Sequence, residues 1–147
     1  MNLNFFIEIF IVSIIALPTV QMVTFAAGQD GENDPADKMN STMTYAMAAR
    51  QLLNQTQIEY SKGNITGAED LATRAYLDNF EYVEAPLEQK GKNDLKESIE
   101  KMMRIDVRTM IKDKVPSSQL SELINETDSK LVEAISILNS ANRTLTR

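Results

Sequence analysis

The sequence predicts an all-α fold: an antiparallel up-and-down four-helix bundle behind an N-terminal signal or anchor segment. Three observations carry this. Apolar residues recur at threes and fours through four stretches after residue 40, the period of helices with one buried face. Short breaks, "SKGN", "QKGKN" and "PSS", separate those stretches, and loops so short make successive helices antiparallel neighbours. No stretch competes with the alternation of a half-buried strand.

The chain opens with residues 5–27, "FFIEIFIVSIIALPTVQMVTFAA", which are almost wholly apolar. Glu8 and Gln21 are the exceptions, and Pro18 breaks the run late. Such a run reads as a signal peptide or an N-terminal membrane anchor, not a core helix. Thr24 and Ala26 put small residues where a signal peptidase inspects them, so cleavage after Ala26 is one expectation. The lack of Lys or Arg before the run, and Glu8 within it, argue against a clean signal and leave a retained anchor as the alternative. Either reading places the remainder outside the cytoplasm, secreted or tethered to the cell membrane. The expected division is a leader over 1–27, a flexible acidic tether over 28–40, and an extracytoplasmic bundle over 41–147. The tether, "GQDGENDPADK", is polar and holds Gly and Pro. About 110 residues then remain, one domain's worth.

The first helix is expected from Ser41 to Tyr60, with Met43, Ala46, Met47, Leu53 and Tyr60 on one side; Gly63 supplies the turn. The second opens at "TGAED", where Thr66 and Glu69 have capping-box spacing. Its stripe is Ala68, Leu71, Ala72, Ala75, Tyr76, Phe80, Val83 and Leu87. Three alanines near its start imply close packing on a neighbour. Pro86 removes a backbone donor and clashes with the preceding turn, so a kink or local end is expected near Glu84 unless a new turn starts at Pro86. Asn93 is the expected cap of the third helix, with Asp94 in its first turn, where the dipole favours an acid. Its stripe is Leu95, Ile99, Met102, Met103, Met110 and Ile111. Pro116 and two serines precede the fourth helix, whose seam is Leu120, Ile124, Leu131, Ile135 and Leu138. The methionines at helical spacing read as core fillers rather than soft-metal ligands.

The chain has 147 residues, no His, no Cys and a net charge of −6. Thiolate chemistry and disulfides are excluded, and the acidic balance disfavours nucleic acid and anionic lipid as partners. Hard cations or a basic protein face suit it better. Five N-x-S/T triplets begin at Asn40, Asn54, Asn64, Asn125 and Asn142. In an exported chain they are glycan acceptors and mark surface; otherwise they are plain helix-cap and turn polarity.

With neither imidazole nor thiol, any metal chemistry falls to oxygen ligands. Asp70, Arg74, Glu81, Glu84 and Glu88 share roughly one side of the second helix, a solvated face in the plain reading. Carboxylates at such spacing also hold a hard cation, which would relieve their mutual repulsion. Asp106 lies four residues from both Met102 and Met110, so it points into the apolar stripe and needs an Arg, a hydroxyl, water or a metal. Glu100 and Arg104 look like ordinary i,i+4 support. No phosphate loop, nucleophile elbow or HExxH occurs, and a non-enzymatic protein is expected.

"LLNQTQIEYSKGNITGAEDLATRAYLDNFEYVEAPL", followed by "IEKMMRIDVRTMIKD", resembles the extracytoplasmic helical domain that accompanies high-affinity iron permeases in many prokaryotes. The likeness spans roughly residues 50–135 and rests on "Y..GN...AEDLA..AY", "NFEYVEAPL", "IE..MR...R.MI" and a closing "L...L..A". The permeases themselves carry several membrane helices and acidic R-E-G-L-E motifs; this chain has neither. The resemblance therefore implies an accessory role in iron uptake, with Glu81 and Glu84 on the F-E-x-x-E segment and Glu100 on the I-E pair. The candidate metal ligands are Glu81, Glu84, Glu100 and Asp106, the cargo is Fe2+ or Fe3+, and the partner is a separate membrane iron permease or iron-handling protein. The alternative is a helical interaction module at the cell surface with no metal role. The same rhythm is reminiscent of a tetratricopeptide hairpin, but no 34-residue repeat follows.

Overall fold

The computed structural model describes residues 35–145, with side chains from 37 to 140. The leader, most of the tether and the side chain of Asn142 lie outside those residues. Four helices make up what is described: α1 (Pro35–Ser61), α2 (65–89), α3 (93–112) and α4 (Ser117–Leu145). They pack in a ring, α1 on α2, α2 on α3, α3 on α4 and α4 on α1. Cross-helix bonds give the directions. Glu69 pairs with Lys112 at 3.5 Å and Glu88 with Lys96 at 2.7 Å, so α2 and α3 run antiparallel. Arg50 pairs with Asp128, and the Tyr60 hydroxyl donates to the Val115 carbonyl at 2.5 Å, which sets α1 against α4 in the same sense. The bundle expected from the apolar period is therefore present.

Apolar burial holds it. Leu53, Phe80, Val83, Leu87, Ile99, Met103, Val107, Ile111, Leu120, Leu131 and Leu138 are fully enclosed. Ala46 and Ala49 on α1, and Ala68, Ala72 and Ala75 on α2, have no exposure either. Side chains that small let two backbones approach closely, and α1 and α2 are the most extensively packed pair.

All three turns close with the same motif. At each, the residue after the last helical turn donates to the carbonyl three back and the next donates to the carbonyl five back. The pairs are Gly63 to Tyr60 with Asn64 to Glu59, Gly91 to Glu88 with Lys92 to Leu87, and Lys114 to Ile111 with Val115 to Met110. The motif needs a left-handed residue, and φ is 81° at Gly63, 68° at Gly91 and 52° at Lys114.

Helices α2 and α3 each contain a π turn, Tyr76–Phe80 and Met102–Asp106. The buried positions explain why. On α2 they include Ala68, Ala72, Tyr76 and Phe80; on α3 they include Ile99, Met103, Val107 and Ile111. Each set repeats every four residues. In a regular α-helix each such step drifts about 40° around the axis, so three steps carry the stripe a third of the way round. One wide turn cancels most of that drift. The carbonyl of Arg74 is taken up by Asn79 Nδ2 at 3.0 Å, which accounts for the burial of that asparagine.

Several expectations change. α1 begins at Pro35, six residues before Ser41, so residues 35–40 are helix rather than tether; proline suits a first helical turn because no donor is lost there. Asn64, not Thr66, caps α2, its side chain accepting from Gly67 N at 3.1 Å. Asn93 is already helical, and the cap position falls on Lys92 with no side-chain bond. The helix runs through Pro86 to Gln89 with no end near Glu84; the irregularity lies upstream, in the π turn. Met47 is 54% exposed rather than core, and Tyr82 is 56% exposed, stacked on Tyr45 of α1 with centroids 4.6 Å apart.

Candidate functional site

The segment Glu81–Gln89 of α2 carries Glu81, Glu84 and Glu88, and the segment Asn93–Lys101 of α3 carries Lys96 and Glu100. The antiparallel pairing brings the two segments alongside. Above them, the two π turns set Tyr76 of α2 against Arg104 of α3, whose guanidinium carbon lies 5.9 Å from the ring centroid. That contact is a cation–π pair, and Arg104 also binds Glu100 Oε1 at 3.0 Å.

Glu84 is the chemical anomaly of this face. Its Oε1 is buried and has no hydrogen-bond partner. Burial raises the Glu84 carboxyl above its ordinary range. The neighbouring Tyr76 phenol pulls it down, the charge of Glu100 raises it again, Lys96 lowers it, and Glu81 adds a small push upward. Tyr76 is pushed up to about 12, first by burial and then by the charge of Glu84. Glu84, Glu100 and Tyr76 thus form one coupled oxygen group, with Arg104 and Lys96 supplying compensating charge. Lys96 itself is held mainly by Glu88, whose hydrogen bond raises it.

The structure brings together two of the four candidate ligands. Glu84 and Glu100 share this face. Glu81 is next to it but exposed. Asp106 belongs elsewhere: both of its oxygens accept from Lys101 Nζ, at 2.6 and 2.9 Å. The π turn is the reason, since the added residue rotates Asp106 off the line between Met102 and Met110 and leaves Val107 in the core instead. Among the described residues no group of three or more acidic side chains is placed to hold a metal ion. No described helix is long and apolar enough to cross a membrane.

A second feature lies between α1 and α4, a groove of about 410 Å³ lined by Met47, Arg50, Asn54, Gln57, Asn125 and Asp128 among others. Its polar centre is a two-pronged ion pair, Arg50 Nε to Asp128 Oδ1 at 2.6 Å and Nη2 to Oδ2 at 2.9 Å. Sequence reasoning missed this pair, because 78 residues separate its members and no local pattern joins them. It missed the part played by Tyr76 for a different reason: a tyrosine in an apolar stripe reads as core, and its ring is core while its hydroxyl is not idle. No family model, curated protein or solved structure matches the chain.

Proposed function

We propose that the bundle is a non-enzymatic extracytoplasmic accessory domain in iron uptake. It binds or hands over iron, or docks on a membrane permease, through the acidic face of α2 and α3. The observation that supports this is the buried, unpartnered oxygen of Glu84 beside Glu100 and Tyr76. A carboxylate in that position carries a desolvation cost that a hard cation, or a cationic side chain of a partner, would remove. Carboxylates and a phenol are oxygen donors, the class that hard cations take. Iron is cargo in this reading, with Glu84 and Glu100 as the contacts and exposed Glu81 at the edge.

The test is thermal melting in chelator-cleared buffer with and without Fe2+ or Mn2+. A ligand at about a hundred times its Kd stabilises by roughly 2.7 kcal/mol, so the wild-type midpoint rises by several degrees. The rise is absent in the Glu84→Gln, Glu100→Gln double variant. A wild type indifferent to metal overturns the metal part. One specific observation favours the second reading, a docking module without metal: Glu88, Glu100 and Asp106 are already paired with Lys96, Arg104 and Lys101. A docking module shows no metal-induced shift, and loses its partner when Glu81 and Glu84 become Gln.

A further inference from the structure

Among the described residues, four polar side chains are buried: Thr42, Thr56, Asn79 and Thr127. Asn79 is explained by the π turn it closes. The three threonines share something else. Each stands two residues after an asparagine, in Asn40-Ser41-Thr42, Asn54-Gln55-Thr56 and Asn125-Glu126-Thr127. In each triplet the asparagine is exposed and the threonine buried, as a separation of about 200° around a helix dictates. The other threonines between residues 37 and 140, Thr44, Thr66, Thr73 and Thr109, are exposed or half-buried.

Packing gives little reason for threonine at these places. A branched Cβ lowers helix propensity, and a buried hydroxyl needs a partner. Each finds one only by donating to the carbonyl four residues back, Lys38 at 2.9 Å, Leu52 at 2.9 Å and Leu123 at 2.8 Å. That back-bond slightly destabilises a helix. Valine fills the same volume with no hydroxyl. What threonine adds is the third position of an N-glycosylation acceptor.

We propose that Asn40, Asn54 and Asn125 are N-glycosylated, and that the sugar is attached before the helices carrying them fold. The proposal rests on the extracytoplasmic placement above and not on iron. The co-substrate is a lipid-phosphate-linked oligosaccharide. Asparagine Nδ2 attacks the anomeric carbon of its first sugar; the N–C bond forms, the bond from that carbon to the phosphate oxygen breaks, and the lipid phosphate leaves with the electron pair. The amide proton lost from Nδ2 goes to a base of the transferase. In the folded bundle the hydroxyls of Thr56 and Thr127 are enclosed and donated to the backbone, so the folded chain does not present the triplet. Asn64 is not included, because Thr66 is exposed and the argument from a buried threonine does not reach it; in the folded bundle Asn64 serves the turn, its Nδ2 donating to Glu59 at 2.7 Å and its Oδ1 capping α2.

The consequence is a two-faced molecule. Asn54 and Asn125 line the same groove between α1 and α4, so their glycans cover it. Residues 65–112, which form α2 and α3, contain no acceptor triplet, and the face bearing Glu84 stays bare for contact.

The experiment expresses the full chain in an exporting, N-glycosylating cell, fractionates the cell, and maps glycopeptides by mass spectrometry. Sugar is expected at Asn40, Asn54 and Asn125. Thr56→Val abolishes it at Asn54 alone, Thr56→Ser keeps it, and unglycosylated Thr56→Val melts no lower than wild type. The chain translated in the presence of glycosylation-competent membranes acquires sugar, whereas chain folded first and then added does not. Exported protein with Asn54 and Asn125 bare overturns the proposal and leaves the placement standing. A chain retained in the cytoplasm overturns both. A Thr56→Val variant that melts well below wild type shows that packing retains the threonine, and overturns the proposal.

Discussion

Lys114 holds a backbone conformation that its own Cβ opposes. Its φ of 52° is the left-handed geometry that Gly63 and Gly91 supply without strain at the other two turns. Lys114→Gly is therefore expected to stabilise the bundle by about 0.5–1 kcal/mol, the relief of the Cβ clash less the added freedom of the unfolded chain. Urea melts read this as a higher midpoint at unchanged slope. Glu84 gives the second prediction at this scale. Its folded-state carboxyl is raised, chiefly by burial. Folding therefore favours the protonated form, and stability is lost as pH rises through the raised value. Glu84→Gln removes the ionised carboxyl that carries this cost. The variant is expected to be the more stable protein near pH 7, with the difference closing as pH falls below the ordinary glutamate range of about 4.3. A gap that widens in acid would contradict the burial argument. At this scale the sequence was least informative. Met47 and Asp106 were both placed by counting at an even 100° per residue. The count gives only a direction on a lone cylinder, and exposure depends on how far the neighbouring helix reaches.

The elements themselves were legible, because each helix carries its own apolar stripe and its own stop. The first and second stops are a glycine and the third a proline, and all three were visible before any tertiary contact was known. What escaped was irregularity within a helix. The clue was present: Ala68, Ala72, Tyr76 and Phe80, and again Ile99, Met103, Val107 and Ile111, form unbroken runs of fours, with Ala75, Val83 and Met102 buried beside them. A stripe with that repeat stays on one face only if a turn is widened. Asn79 tests the point. Its Nδ2 meets the Arg74 carbonyl from inside the bundle. Asn79→Ala leaves that carbonyl unserved and is expected to cost about 1–3 kcal/mol. Substitution of exposed Asp78, whose ion pair with Arg74 is long at 3.4 Å, is expected to change stability by less than about 0.5 kcal/mol. Hydrogen exchange near the π turn distinguishes the two, with faster exchange in the first variant only.

The whole molecule depends on closing the ring between α1 and α4, a step no local pattern announces. Three kinds of contact close it: the apolar seam of Leu120, Ile124, Leu131 and Leu138, the hydroxyl bond from Tyr60 to Val115, and the Arg50–Asp128 pair. Their weights differ for physical reasons. Leu131→Ala removes a fully buried side chain and is expected to cost about 2–5 kcal/mol. Tyr60→Phe deletes one bond, leaves the ring in place, and costs about 1 kcal/mol whatever the salt. Arg50 and Asp128 have excellent two-pronged geometry, yet each side chain is 36% exposed. Solvent screens such a pair, so a double-mutant cycle is expected to give a coupling of about 1 kcal/mol or less that fades as ionic strength rises to about 1 M. The order of these three costs says what holds the bundle shut. If the cycle instead returned a coupling larger than the loss in Leu131→Ala, undiminished by salt, charge rather than apolar burial would be the closing force, and the groove between α1 and α4 would be a rigid clamp instead of a solvated seam.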